Sequence, residues 1–227
     1  MPRPPRLVLP RQGTRIILRM SLEPHDLLLV VDPQRDFCDG GSLAVPDADA
    51  AIPVINQLSQ CFSHVVLTQD WHTPGHSSFA STHPGRSIYE TIQAPYGPQT
   101  LWPDHCIQGT PGAEFHPGLR ITKAELILRK GFNPAIDSYS GFFENDKTTP
   151  TGLAGYLRER GFRRIFLAGL AYDYCVRFSA VDAVRSGFSA FVIEDASRAI
   201  NFAGAVEATN AEFAAIGVQR VSSSMFG

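Results

Sequence analysis

A chain of 227 residues that is 44% hydrophobic can bury one full-sized core, which favours a single domain over two small ones. A formal charge of -2 supplies no general basic field, so neither nucleic acid nor a membrane surface is an expected partner, and a small, nearly neutral molecule fits better. The four cysteines, Cys38, Cys61, Cys106 and Cys175, form no CxxC pair and no regular spacing, which argues against a zinc ribbon or a secreted disulfide framework and for a reducing, cytoplasmic setting.

The first nineteen residues alternate Pro2, Pro4, Pro5 and Pro10 with Arg3, Arg6, Arg11, Arg15 and Arg19. Prolines spoil an amphipathic helix there, so residues 1–19 read as a loose extension, Met20 as the working start, and residues 20–227 as one domain. From there short β-branched or leucine-rich runs alternate with segments of helical period, the pattern of a parallel sheet covered by helices on both faces. The runs predict strands over 26–31, 64–67, 125–129, 164–168, 190–193 and 218–221. Apolar spacing predicts helices over 50–61, 151–160, 174–186 and 204–216, with Gly161, Gly187 and Gly217 where C-caps belong. No apolar run approaches the roughly 18 residues a membrane helix needs. Residues 71–124 break the rhythm, with many prolines, glycines, histidines and aromatics and no convincing helix. Long irregular connections of that kind are usually functional.

Four residues at or just beyond the ends of the first four strands carry the functional reading: Asp32, Asp70, Lys130 and Cys175. Ligands of parallel α/β sheets bind at the carboxyl ends of the strands, so these groups are expected to converge on one crevice. Cys175 lies beyond a small-residue turn from a buried strand into a helix, where unpaired amides and the helix dipole favour a thiolate. Asp32 ends a run read as a central strand, where a carboxylate is costly unless paired. Lys130 is one of only three lysines among twenty basic residues, which suggests a compact charge chosen for a confined place. Each also has an ordinary reading: a buried filler cysteine, a turn-capping aspartate, a solvated strand-end lysine. Their shared position disfavours it. Asp70, His72 and His76 offer oxygen and imidazole donors in one short motif, and His105 lies farther along the same loop. That mixed set suits one divalent metal ion, zinc first, with iron or manganese as alternatives.

These residues resemble the nicotinamidases of the isochorismatase-like cysteine hydrolase superfamily over about Leu27 to Val221. The matching pieces are Val31-Asp32-Pro33-Gln34-Arg35-Asp36-Phe37, residues 69–79 and 102–112, Arg129-Lys130-Gly131-Phe132, Tyr139-Ser140-Gly141-Phe142 and the turn around Cys175. The resemblance implies a three-layer α-β-α fold with a six-stranded, mostly parallel sheet, and hydrolysis of nicotinamide to nicotinate and ammonia through a cysteine thioester. It implies Asp32, Lys130 and Cys175 as catalytic residues, and Asp70, His72 and His105 as metal ligands. His76 matches a position that ligates in some members only. Phe37, Trp102 and Tyr139 are implied as substrate-binding residues, and the amides of Ala171 and Cys175 as an oxyanion hole beside a cis peptide preceding Ala171. Tyr172 and Ser197 depart from the threonine and cysteine that many members carry. Rival reactions are isochorismatase-type ether cleavage, which lacks the nucleophilic cysteine, and N-carbamoyl or ureido amidases. Both generally lack the Asp-x-His motif. A metal-binding protein without turnover is the rival from another class, and homo-oligomerisation stays open.

A Pro/Arg-alternating segment has no apolar face with which to dock. A chain beginning at Met20 is therefore expected to keep its melting temperature and its rate. A loss of several degrees in a thermal melt would show that the extension packs on the domain.

Overall fold

The computed structural model describes residues 19–226, so the extension read at residues 1–19 lies, but for Arg19, outside the described residues. The sheet is built from strands β1 (Asp26–Val31), β2 (His64–Asp70), β5 (Leu126–Lys130), β6 (Arg164–Leu170), β7 (Ser189–Arg198) and β8 (Gln219–Val221), in the order β5-β2-β1-β6-β7-β8 and parallel throughout. Helices α1 (Ala51–Cys61), α2 (Leu153–Glu159), α3 (Arg177–Arg185) and α4 (Ala205–Ile216) cover it, giving the expected three layers.

Strand alternation distributes the core between two faces. Leu27, Leu29 and Val31 of β1 pack with Leu153, Leu157, Val181 and Phe213 of α2, α3 and α4, whereas Leu28 and Val30 pack with Ala51, Ile55 and Leu58 of α1. Every residue of β1 is buried, as its unbroken apolar run requires. Each such Leu or Val contributes about 1.5–3 kcal/mol on leaving water, which anchors the strand ends that carry the chemistry. Met20 and Leu22 pack against the α1 face, and the Met20 amide donates to the Met225 carbonyl at 3.0 Å. Among the described residues no helix is long and apolar enough to cross a membrane.

Three local readings change. Asp70 and Lys130 are the last residues of β2 and β5 rather than residues beyond them. Residues 71–124 hold a two-stranded hairpin, β3 (Thr91–Ala94) and β4 (Gly97–Thr100), that the prolines at 95 and 98 conceal. The helix expected from residue 174 begins at Arg177, because Tyr172–Val176 winds as a wider π turn in which the Val176 amide reaches the Ala171 carbonyl at 3.1 Å.

Gly169 shows how closely β1 and β6 approach where the site begins. It pairs with Val31, sits at φ +125°, and a Cβ added there would lie 2.1 Å from the Val31 carbonyl oxygen. Gly169→Ala should cost about 3 kcal/mol or more, read as a lower urea midpoint. An unchanged midpoint would show that the two strands can part without loss.

Candidate active site

At the carboxyl edge of the sheet the chain leaves the strands abruptly. Asp32 adopts φ 46° immediately after β1, and Gly131 adopts φ 68° immediately after β5. Gln34 stabilises the neighbouring end of β2 by imitating a strand: the Asp70 amide donates to its Oε1 at 2.7 Å, and its Nε2 donates to the carbonyls of Asp70 and Ala113 at 2.8 and 2.9 Å. The aspartates at positions 32 and 70 are thereby held on adjacent strands with Lys130 between them.

Lys130 is 1% exposed, so its ammonium must replace its water shell with protein groups. Nζ lies 2.8 Å from Asp32 Oδ2, donates to Asp70 Oδ1 at 2.7 Å and to the Ser138 carbonyl at 2.9 Å, and approaches Cys175 Sγ at 3.5 Å. Burial works against its charge, but Asp32 and Asp70 outweigh it and hold its pKa well above the ordinary lysine value. Burial pushes the Asp32 carboxyl up against the opposing pull of Lys130. Asp70, equally buried, is drawn well below the usual carboxylate range by Lys130 and His72. Burial also pushes the Cys175 thiol well above its usual value, with Lys130 opposing and Asp32 adding to the rise. The donor atoms of Asp32, Asp70 and Cys175 all lie within 4.8 Å of one another.

Asp70 also faces the other way. Its Oδ2 lies 3.3 Å from His72 Nε2 and 3.7 Å from His105 Nε2. His72 donates through Nδ1 to the Gly131 carbonyl at 2.9 Å, and His105 through Nδ1 to the Pro103 carbonyl at 2.7 Å. Those carbonyls fix the tautomers so that both Nε2 atoms converge on Asp70. A tetrahedral ion with bonds of about 2.0–2.1 Å sets its ligand atoms about 3.3–3.4 Å apart, close to the separations found, so the three residues fit one divalent ion. His76 is engaged elsewhere: Nε2 donates to the Asn133 carbonyl at 2.7 Å, and Nδ1 accepts from the Ser78 amide at 3.2 Å. It braces the loop beside His72, with ring centroids 4.5 Å apart.

Between the sulfur and the His pair lies a slot with about 20 Å³ of free space, lined by Phe37, Trp102, Tyr139, Tyr174, Ala171 and Ile200 among others. Trp102 Nε1 donates to the Tyr139 hydroxyl at 3.0 Å and its ring meets Tyr174 edge-on. A larger cleft of about 660 Å³ beside the hairpin holds none of these groups. The Leu170–Ala171 peptide is cis. Tyr172 and Ser197, the two departures, bond to Asn210 Oδ1 at 2.6 Å and the Ile193 carbonyl at 3.0 Å, outside the slot. The sequence reading missed Asp137, Tyr174, Leu43 and Ile200 in the lining, and Gln34 and Thr68 behind it. Of these, Gln34 and Thr68 left a signal, as polar residues in otherwise buried stretches.

Gly131 offers a test of the ion site that spares every ligand. A Cβ there would stand 2.6 Å from His72 Cε1 and 3.2 Å from Asp70 Oδ1. Gly131→Ala should weaken metal binding at least roughly tenfold, measured by competition with a chromogenic chelator. Parental affinity would mean that His72 and Asp70 do not share an ion.

Residues 26–223 match the family model described as the isochorismatase domain. The nicotinamidase of Acinetobacter baylyi is 52% identical over 206 residues, covering 91% of this chain and 96% of that relative. A solved nicotinamidase and pyrazinamidase of Acinetobacter baumanii superposes with a TM-score of 0.89 at 53% identity, covering 90% of this chain and 99% of that one. The pyrazinamidase of Pyrococcus horikoshii, solved in complex with zinc, gives a TM-score of 0.72 at 35% identity, covering 88% and 99%. The strand-end constellation and these matches agree, and the chain belongs to the isochorismatase family, in its nicotinamidase branch.

Proposed function

We propose that the chain is a cytoplasmic amidohydrolase that converts nicotinamide to nicotinate and ammonia through a thioester on Cys175. The observation that carries the reading is the convergence of Asp32, Lys130 and Cys175 beside an aromatic-lined slot that Cys175, Asp70 and His105 all reach, with His72 next to the last two. Asp32 takes the proton of Cys175 as the sulfur attacks the carboxamide carbon, and Lys130 keeps the two buried charges together as they shift. The oxyanion formed is assigned to the amides of Ala171 and Cys175. Asp32 returns its proton to the leaving nitrogen, the carbon–nitrogen bond breaks, and ammonia departs. Water then loses a proton to Asp32 and adds to the thioester, releasing nicotinate and the thiol. Phe37, Trp102 and Tyr139 stack against and flank the ring. The metal proposed for Asp70, His72 and His105 is zinc, as the tetrahedral spacing favours, and when bound it supplies a Lewis-acid anchor for the ring nitrogen.

Ammonia release should be fast from nicotinamide, and slow from benzamide and from an N-carbamoyl amino acid. Cys175→Ala should abolish it, whereas Cys38→Ala and Cys61→Ala keep most of it. Lys130→Arg should lose roughly 100-fold or more, because a planar guanidinium cannot occupy the place of a point-like ammonium among four partners. Undiminished turnover in Cys175→Ala would overturn the covalent route, and preference for the N-carbamoyl compound would overturn the substrate.

A further inference from the structure

Thr68 lies in the middle of β2, wholly buried between Leu67 and Gln69. A hydroxyl in such a place is costly unless it is bonded, and both of its bonds go to one residue. The Asp32 amide donates to Thr68 Oγ1 at 3.1 Å, and Thr68 Oγ1 donates to Asp32 Oδ1 at 2.6 Å. These directions are forced, since an amide can only donate and a carboxylate accepts. Asp32 follows the last residue of β1 and turns to φ 46°, and the Thr68 hydroxyl accepts from its amide.

The other side of Thr68 is filled. Its Cγ2 faces Gly141, where an added Cβ would stand at 3.3 Å. With the methyl packed there, χ1 is settled and the hydroxyl points at Asp32. Thr68 therefore ties the backbone and one carboxylate oxygen of Asp32 into a ring. The second oxygen, Oδ2, is buried and lies 2.8 Å from Lys130 Nζ, the ammonium that also approaches Cys175 Sγ at 3.5 Å.

We propose that Thr68 is a positioning residue that reserves Asp32 Oδ2 as the oxygen that exchanges the proton with Cys175. In that step the S–H bond breaks and an Oδ2–H bond forms, while Oδ1 stays occupied by Thr68 throughout. Without the hydroxyl the carboxylate is free to turn, and Oδ2 loses its fixed place beside Lys130 and the sulfur. The inference rests on Asp32 as the base, and the test separates the two.

The experiment compares Thr68→Val, Thr68→Ser and Thr68→Ala in the full chain loaded with zinc, with Asp32→Asn as the reference. It reads kcat and KM for nicotinamide, and the rate at which iodoacetamide labels Cys175, measured by mass spectrometry of that peptide. Thr68→Val should lower kcat roughly 10- to 100-fold, the worth of a hydrogen bond to a charged group. KM should stay within about twofold, because the slot is untouched, and labelling of Cys175 should slow in parallel. Ser and Ala both lack the methyl and only Ser keeps the hydroxyl, so the Ser variant should exceed the Ala variant by a similar factor even if Val fails to fold. In the Asp32→Asn background, Thr68→Val should add nothing. Parental kcat and labelling in a folded Thr68→Val, a rise confined to KM, or equal rates for Ser and Ala would each overturn the positioning role. Full turnover in Asp32→Asn would instead overturn the base itself.

Discussion

The structure turns on one buried ammonium. Lys130 is enclosed by Asp32, Asp70, the Ser138 carbonyl and the Cys175 sulfur, and an unpaired cation there would cost several kcal/mol. Two carboxylates more than offset that cost, so the trio of Asp32, Asp70 and Lys130 leans negative. That excess adds to burial in pushing the Cys175 thiol upward. It also explains why Asp70 has an oxygen to spare. Oδ1 serves Lys130 while Oδ2 faces His72 and His105, so the reacting centre and the ion site share one side chain.

The sheet makes this sharing possible. Parallel strands end in a row, and the β2–β5 register pairs Asp70 with Lys130 directly. Asp32 comes directly after the last residue of β1, and Thr68 holds it on the neighbouring strand. Gln34 does the corresponding work for the backbone of Asp70. On the far side the ladder between β6 and β7 shifts register between Leu167 and Gly169, and such irregularities re-aim a strand end. Beyond it come Ala171 and the turn that carries Cys175.

Much of this could be read in the sequence, for physical reasons particular to each residue. The strands declared themselves because a parallel sheet buried on both faces demands unbroken apolar runs, as in Leu27 to Val31. The charged residues at their ends then stood out as exceptions. Lys130 was conspicuous in a chain that otherwise uses arginine. Thr68 left a fainter mark, a polar residue in a buried strand, whose meaning appears only when its hydroxyl is seen to face a carboxylate. Asp137 and Tyr174 reach the slot through loop geometry that spacing does not encode. The hairpin over 91–100 was hidden by prolines that sit at its turn and on a strand with no further partner. The double duty of Asp70 required knowing that β2 and β5 are neighbours, which no local pattern states.

The cysteines differ in what surrounds them, and that difference makes one of them a nucleophile. Burial raises the pKa of three: Cys38 to about 12, with Asp49 and Asp39 adding to it, and both Cys106 and Cys175 well above the usual thiol value. A depressed pKa therefore distinguishes none of them. Cys106 is buried near the same carboxylates, yet it does not line the slot, and its neighbourhood serves to tie its amide to Asp36 Oδ2 at 2.7 Å. Cys38 lies beside Asp49 without a cation. Among the described cysteines only Cys175 combines an ammonium at 3.5 Å, the Asp32 carboxylate within 4.8 Å and an opening onto the slot. In the proposed route the proton moves from the sulfur to Asp32 during attack, and these neighbours are what that step requires.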